Sequence, residues 1–250
     1  MTQHMVQLTI NERILKEWLH GIGLLHVDIG YGVHSLLRAA FGEAAPQPFA
    51  IRFAPPGQGQ APTIGVLGYT AMEADILKRI AGEVAEPKVF AAISPETMVS
   101  KPLPDGWDAG RSYSFELRAC PVCRSDHGER DAFLSAVHKV DKSKPLDRES
   151  VYADWLSRQL DRAAKLDKVE LASFSLDRLD RRSAPNEQDG RKCVGSIKPN
   201  ALFRGQLTVR DSNAFSEVLS RGVGRHRAFG FGMLLIRPAG SHLLNHGKPR

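Results

Sequence analysis

Tyr31, His34 and Arg38 stand three and four residues apart and bring together a hydroxyl, an imidazole and a guanidinium. Those steps place side chains on one face of a helix. An imidazole titrates near neutrality, so it can take or give a proton at physiological pH. A tyrosine hydroxyl can orient an attacking group or stabilise developing negative charge. An arginine can hold a phosphate through paired hydrogen bonds. The same trio also suits a helix whose histidine is packed for structure and whose arginine is merely solvated. The spacing alone leaves both readings open.

A second group lies near the C-terminus, in the run Gly222-Val223-Gly224-Arg225-His226-Arg227-Ala228-Phe229-Gly230-Phe231-Gly232. Four glycines fall within eleven residues, with Arg225, His226 and Arg227 between them. Glycine lets the backbone turn sharply and approach a ligand closely. Free backbone N–H groups and cationic side chains together can grip a phosphate backbone. The expected order is a helix over residues 211–219, the loop, then a strand over 233–236. That is the reverse of the strand–glycine–helix order of dinucleotide sites. A helix C-cap at Gly222 followed by a tight turn is the simpler reading, but it leaves the three basic side chains unexplained. Arg204 and Arg210 bracket a predicted strand and are expected to line the same face. Arg178, Arg181 and Arg182 form another basic cluster, readable as a nucleic-acid contact or as a solvated charge run.

Cys120, Cys123 and His127 have part of a zinc-ligand spacing, which Cys193 would complete only if the fold brought it near. With three cysteines in all, an odd number, a reducing compartment is expected. No apolar run approaches a membrane span. The stretch Met1-Thr2-Gln3-His4-Met5 lacks a secretory pattern, so a cytoplasmic location and no membrane partner are expected. The net charge of +6 is uneven: residues 178–250 hold 14 Lys and Arg against 5 Asp and Glu, and the first 177 residues hold 20 against 23. Positive potential concentrated in one part of a chain favours a polyanionic partner.

Periodicity sets the elements that must position these groups. Strands are expected over residues 5–10, 49–53, 63–69 and 88–93. Asn11 is placed to cap a helix ending near residue 20, Asp28 precedes a helix over 31–41, and a third helix spans 72–80. Strand, helix, strand, strand, helix, strand is the ferredoxin-like or RNA-recognition order. Residues 102–110 read as a linker. The pattern then restarts with a strand at 112–118, a polar stretch without periodicity at 120–145, a helix at 149–164 and strands at 169–176 and 201–209. Loops are expected at 55–60 and 183–189. The fold class is therefore α+β with tandem ferredoxin-like domains. Residues 1–104 would carry the candidate catalytic helix, 110–240 the glycine-rich loop, and 241–250 a mobile tail.

The glycine run, the stretch from Phe203 to Asp211, and the run Tyr113-Ser114-Phe115-Glu116-Leu117-Arg118 resemble the CRISPR-associated endoribonucleases that cut repeat RNA. The nearest subgroup is the CasE subunit of type I-E Cascade, with a divergent type IV relative as the other placement. The resemblance implies tandem ferredoxin-like domains, His34 as the catalytic histidine with Tyr31 as its partner, and an RNA-binding role for the glycine loop. Some divergent relatives depend on arginines, which would bring Arg38 forward. It further implies a repeat-RNA hairpin and the mature guide RNA as partners, other subunits of an effector complex, and cleavage without a metal or other cofactor. The family pattern holds no counterpart of the cysteines. A non-cutting RNA-binding subunit and an interaction protein with a structural zinc site remain the alternatives.

Overall fold

An asparagine and an aspartate start two helices of the first half. β1 (His4–Asn11) buries Val6, Leu8 and Ile10 on one face. Asn11 then accepts a hydrogen bond from the Ile14 N–H at 3.1 Å and starts α1 (Glu12–Gly21). Asp28 accepts from the Tyr31 N–H at 3.0 Å and starts α2 (Ile29–Phe41). Val33, Leu36, Leu37 and Ala40 turn this helix's apolar face into the core. β2 (Phe49–Phe53), β3 (Thr63–Thr70), α3 (Ala74–Val84), α4 (Pro87–Ile93) and β4 (Val99–Pro102) follow. The sheet has the order β2-β3-β1-β4, antiparallel throughout. The computed structural model describes residues 2–25, 27–53, 62–125, 128–139, 145–182 and 193–239.

The strand expected over 88–93 is instead α4, and the fourth strand lies further on at β4. Pro87 sits in the first turn, where its missing N–H costs nothing. Val89, Ala92 and Ile93 bury at helical steps, a pattern too short to separate from a buried strand by eye.

The second half comprises β5 (Ser112–Ala119), β6 (Val122–Ser125), β7 (Gly128–Asp131), α5 (Ala132–Val137), α6 (Arg148–Leu160), β8 (Ala164–Arg182), β9 (Cys193–Val209), α7 (Ser212–Arg221) and β10 (Leu234–Pro238). Its sheet order β10-β5-β9-β8 repeats the first half's topology. Phe203 and Leu207 of β9 share one core with Leu156, Leu160, Phe215 and Leu219 of the two long helices. The fold class is α+β with tandem ferredoxin-like units, as expected.

Two features depart from expectation. The stretch after β5 is not a featureless excursion: β6 and β7 pair as a hairpin and lead into α5. Long-range bonds hold it. The Tyr152 hydroxyl donates to Asp131 at 2.9 Å, and the Trp155 indole donates to the Val122 carbonyl at 3.2 Å. Four-residue strands held from outside carry no periodic signal. β8 and β9, at 19 and 17 residues, also run well beyond their expected ends. Beyond the Ala119–Ala201 pair β9 leaves β5 behind and continues paired with β8. The loops expected at 55–60 and 183–189 and the tail at 241–250 lie outside the described residues.

The two units meet through their sheets. The Tyr69 hydroxyl of β3 donates to the Leu234 carbonyl of β10 at 2.8 Å. Glu116 of β5 pairs with Arg204 of β9 at 2.9 Å and with Arg52 of β2. This seam fixes the first unit's helices relative to the glycine loop.

Candidate active site and nucleic-acid interface

α7 ends where Gly222 adopts φ +75, a conformation that costs glycine nothing. The loop that follows is pinned at its base. The Val223 N–H donates to the Gly232 carbonyl at 2.8 Å, and the Gly232 N–H donates to the Arg118 carbonyl of β5 at 2.7 Å. His226 takes the left-handed conformation, with φ 62, and a 3₁₀ turn (Arg227–Phe229) follows it. That turn sets Phe229 against α2. Its ring stacks on Tyr31 at 5.8 Å and meets the edge of His34 at 5.5 Å. At Gly30 the helix backbone presses so closely on the Phe229 carbonyl that a methyl group would collide with it. The two candidate groups on α2 and the glycine loop, about two hundred residues apart in sequence, therefore pack together as one candidate site.

Within it, Tyr31 is buried and His34 is half-buried. Burial first, and the neighbouring positive charge of Arg38 second, lower the His34 pKa below its ordinary 6.5. The imidazole is therefore mostly neutral at pH 7 and available to accept a proton. Arg38 lies one turn on, exposed and ion-paired with Glu43.

The basic side chains of the loop are not all turned to solvent. Glu129 of β7 accepts from Arg225, stands 2.8 Å from His226 Nε2 and lies 3.1 Å from Lys198 Nζ of β9. The His226 side chain is fully buried in this contact. Burial pushes the Glu129 carboxyl up, but the charge of His226 and the bonds from Lys198 and His226 outweigh it and hold the pKa at about 2. Arg227 Nη1 donates to the Arg221 carbonyl at 2.6 Å and so caps α7. Arg204 and Arg210 take different partners. Arg204 joins Glu116, whereas Arg210 bonds the Asp161 carbonyl at 2.8 Å and its carboxylate at 2.7 Å, beyond the end of α6. They answer to different neighbours because Arg210 lies past the end of β9.

The Glu129 contact carries a test. A carboxylate held below its ordinary 4.5 adds stability that is complete above that value and is lost as pH falls towards about 2. Glu129→Ala is expected to destabilise the protein by about 2 kcal/mol at pH 7, the scale of charge-assisted hydrogen bonds. The difference from wild type should shrink as pH is lowered from 5 to 3 in denaturant titrations (about the range set by the two pKa values). A difference that does not change with pH would sink the assignment.

A second contact anchors α2. The Asp28 N–H donates to Asp180 Oδ2 at 2.9 Å, and the Asp180 N–H donates to Asp28 Oδ2 at 2.8 Å. Asp180, fully buried on β8, also accepts from Arg178 Nε at 2.8 Å. The long hairpin thus grips the start of the helix that carries Tyr31 and His34. Sequence reasoning identifies Asp28 only as the residue preceding a helix. It misses Glu129, Asp180, Lys198 and the bridging role of Phe229, because each acts through a partner distant in the chain. Of the other members of the second basic cluster, Arg181 and Arg182 belong to the backbone of β8, and their side chains lie outside the described residues.

Cys120 is buried with Val122, Leu179 and Phe231, and Cys123 is half-buried in β6. His127 and the Cys193 side chain lie outside the described residues. Among the described residues no three His, Cys, Asp or Glu side chains converge as metal ligands. No helix among them is long and apolar enough to cross a membrane.

Tandem ferredoxin-like units with a glycine-rich basic loop packed on a Tyr–His helix define the class of the protein. The chain belongs to the CRISPR associated protein family, whose model matches residues 4–238. It is 28% identical over 126 residues to the CRISPR system Cascade subunit CasE of Escherichia coli strain K12, a match that spans 50% of this chain and 57% of that relative. Its fold is similar to that of the CRISPR endoribonuclease Cse3 bound to a 19-nucleotide RNA, with a TM-score of 0.62, 20% identity, and 95% of this chain and 100% of that one covered. Thermus thermophilus Cse3 bound to an RNA representing a pre-cleavage complex matches with a TM-score of 0.57 at 19% identity, over 95% and 100% of the two chains. Cas6e from E. coli K-12 matches with a TM-score of 0.52 at 16% identity, over 94% and 99%.

Proposed function

We propose that the protein is an endoribonuclease that cleaves CRISPR precursor RNA within the repeat, near the base of a hairpin, to yield guide RNA. Family membership and the names of the similar proteins support the substrate class. The observation that carries the chemistry is the packing of Tyr31 and His34 against the glycine-rich basic loop through Phe229. Neutral His34 takes the proton from a ribose 2′-OH. The 2′-oxygen attacks phosphorus, the bond to the 5′-oxygen breaks, and the proton ends on that leaving oxygen. The products are a 2′,3′-cyclic phosphate and a 5′-OH end. Tyr31 orients the reacting groups, and the backbone and arginines of the loop stabilise the phosphate charge. Within an effector complex, the protein would act beside other subunits.

The RNA itself supplies the nucleophile, so the reaction is expected to run in chelator. A repeat hairpin with 2′-deoxyribose at the scissile nucleotide is expected to bind with unchanged affinity and stay intact. Gel analysis of end-labelled RNA, with a phosphatase step to reveal the cyclic end, reads both results. Cutting of the deoxy substrate, or loss of cutting in chelator restored by magnesium, would defeat this mechanism.

A further inference from the structure

Two concavities of about 400 Å³ each meet at Gly224 and Arg227. One runs along the glycine loop from Gln47 to Phe229, the ring that touches His34. The other lies between the end of α6 and the face of α7 that carries Ala214, Glu217, Val218 and Arg221, with Arg158, Arg162, Arg221 and Arg227 around it. Small residues, Ala163, Ala214 and Gly222, also line it. The fold keeps the loop low where the two concavities join, because any side chain at Gly224 would strike the Trp155 ring.

The charge in this second groove is one-sided. Glu217 is its acidic member and is already paired with Arg221. Arg227 uses one nitrogen on the Arg221 carbonyl. The Arg158 and Arg162 side chains are exposed and make no hydrogen bond or ion pair among the described residues. Like charges held near one another repel, and an anion between them relieves that repulsion. The groove is open, spans residues from α6 to α7 and shares Gly224 and Arg227 with the concavity along the loop. Those features fit a run of phosphates better than a single small anion.

We propose that this groove is a binding site for the RNA sugar–phosphate backbone. The strand leaving the candidate cleavage site crosses Gly224 and Arg227 and lies between α6 and α7, with Arg158 and Arg162 on its phosphates. The inference rests on the RNA-cleaving reading above and extends it to a segment of substrate remote from the reacting bond. The competing role for these arginines is to complement helix C-termini. That role suits Arg158, in the last turn of α6, but not Arg162, which lies past the helix end.

The test uses the full chain and a repeat hairpin with single-stranded extensions on both sides and 2′-deoxyribose at the scissile position. Arg158→Ala/Arg162→Ala is expected to raise Kd about tenfold. The slope of log K against log salt should flatten by roughly 1.4, or about 0.7 for each single-strand phosphate that no longer meets an arginine. Arg158→Lys/Arg162→Lys should keep most of the slope. With ribose restored, the single-turnover rate at saturating RNA should match wild type, since the groove does not touch the reacting atoms. Removing one extension should abolish the difference between wild type and the alanine variant, which identifies the strand in the groove. Unchanged affinity and slope in a folded variant would overturn the proposal, and a lower Tm with unchanged affinity would assign the arginines to helix capping. If the wild type cuts the hairpin but the variant binds as well, the groove reading alone fails. If the wild type binds no repeat hairpin, both readings fail together.

Discussion

His34→Ala is expected to slow single-turnover cleavage by about 10² or more, the usual scale for a lost general base or acid, while RNA affinity stays near wild type. The imidazole stands at the edge of Phe229 and is open enough to reach a substrate atom. Arg38→Ala is the matching control. Its guanidinium is exposed and paired with Glu43, so its removal should cost much less. Removing that positive charge should also let the His34 pKa rise towards its ordinary 6.5. If His34 acts as the base, the wild-type rate climbs with pH through a value below 6.5 and then levels off, and in the Arg38 variant the climb moves to higher pH. Near-normal cutting by His34→Ala together with inactive Arg38→Ala would mean an arginine-based site. Binding without cutting by the wild type would mean a non-catalytic RNA-binding subunit.

The architecture is legible in the sequence where local signals and burial agree. Asn11 and Asp28 sit at helix starts, and the apolar steps of α2 follow its buried face, so both helices can be placed from the residues alone. The glycine run stands out because consecutive reversals need a residue without Cβ, and Gly222, Gly224, Gly230 and Gly232 all adopt positive φ. α4 passes for a strand because seven residues hold too few turns to show a period. The β6–β7 hairpin is invisible because its order comes from Asp131, Tyr152 and Trp155 across the fold. The same reason hides half of the candidate site. Nothing in the sequence near Glu129 shows that its carboxylate gathers Arg225, His226 and Lys198. In the sequence the loop's basic residues look like equivalent phosphate ligands, yet His226 is turned inwards and Arg227 caps a helix. Side chains of one type in a row have different partners once the backbone between them twists.

Gly30→Ala is the substitution that tests whether seating α2 on the glycine loop creates the site. In an open helical position this change should stabilise by up to about 1 kcal/mol, because alanine is the better helix former. Gly21, at the end of α1 with nothing near the place of a methyl group, is the control for that ordinary effect. At Gly30 the new methyl would run into the Phe229 carbonyl oxygen and stand 3.0 Å from its carbonyl carbon. Both are backbone atoms of a loop pinned at Val223 and Gly232, so neither can rotate aside as a side chain would. The helix and loop must separate instead. Overpacking of this kind costs about 1–3 kcal/mol. The separation also moves Tyr31 and His34 relative to the loop that would hold the phosphate, and a displacement of about 1 Å is enough to cost about 10² in rate. Gly30→Ala is therefore expected to lower Tm by several degrees (about 2–4 °C per kcal/mol in a chain of this size). Cleavage should slow about 10²-fold at saturating RNA at a temperature where the variant is fully folded. Gly21→Ala should leave cleavage near wild type and leave Tm equal to or slightly above it. A folded Gly30 variant that cuts at the normal rate would show that the chemistry does not need α2 and the glycine loop held in register, even if His34 itself proves indispensable.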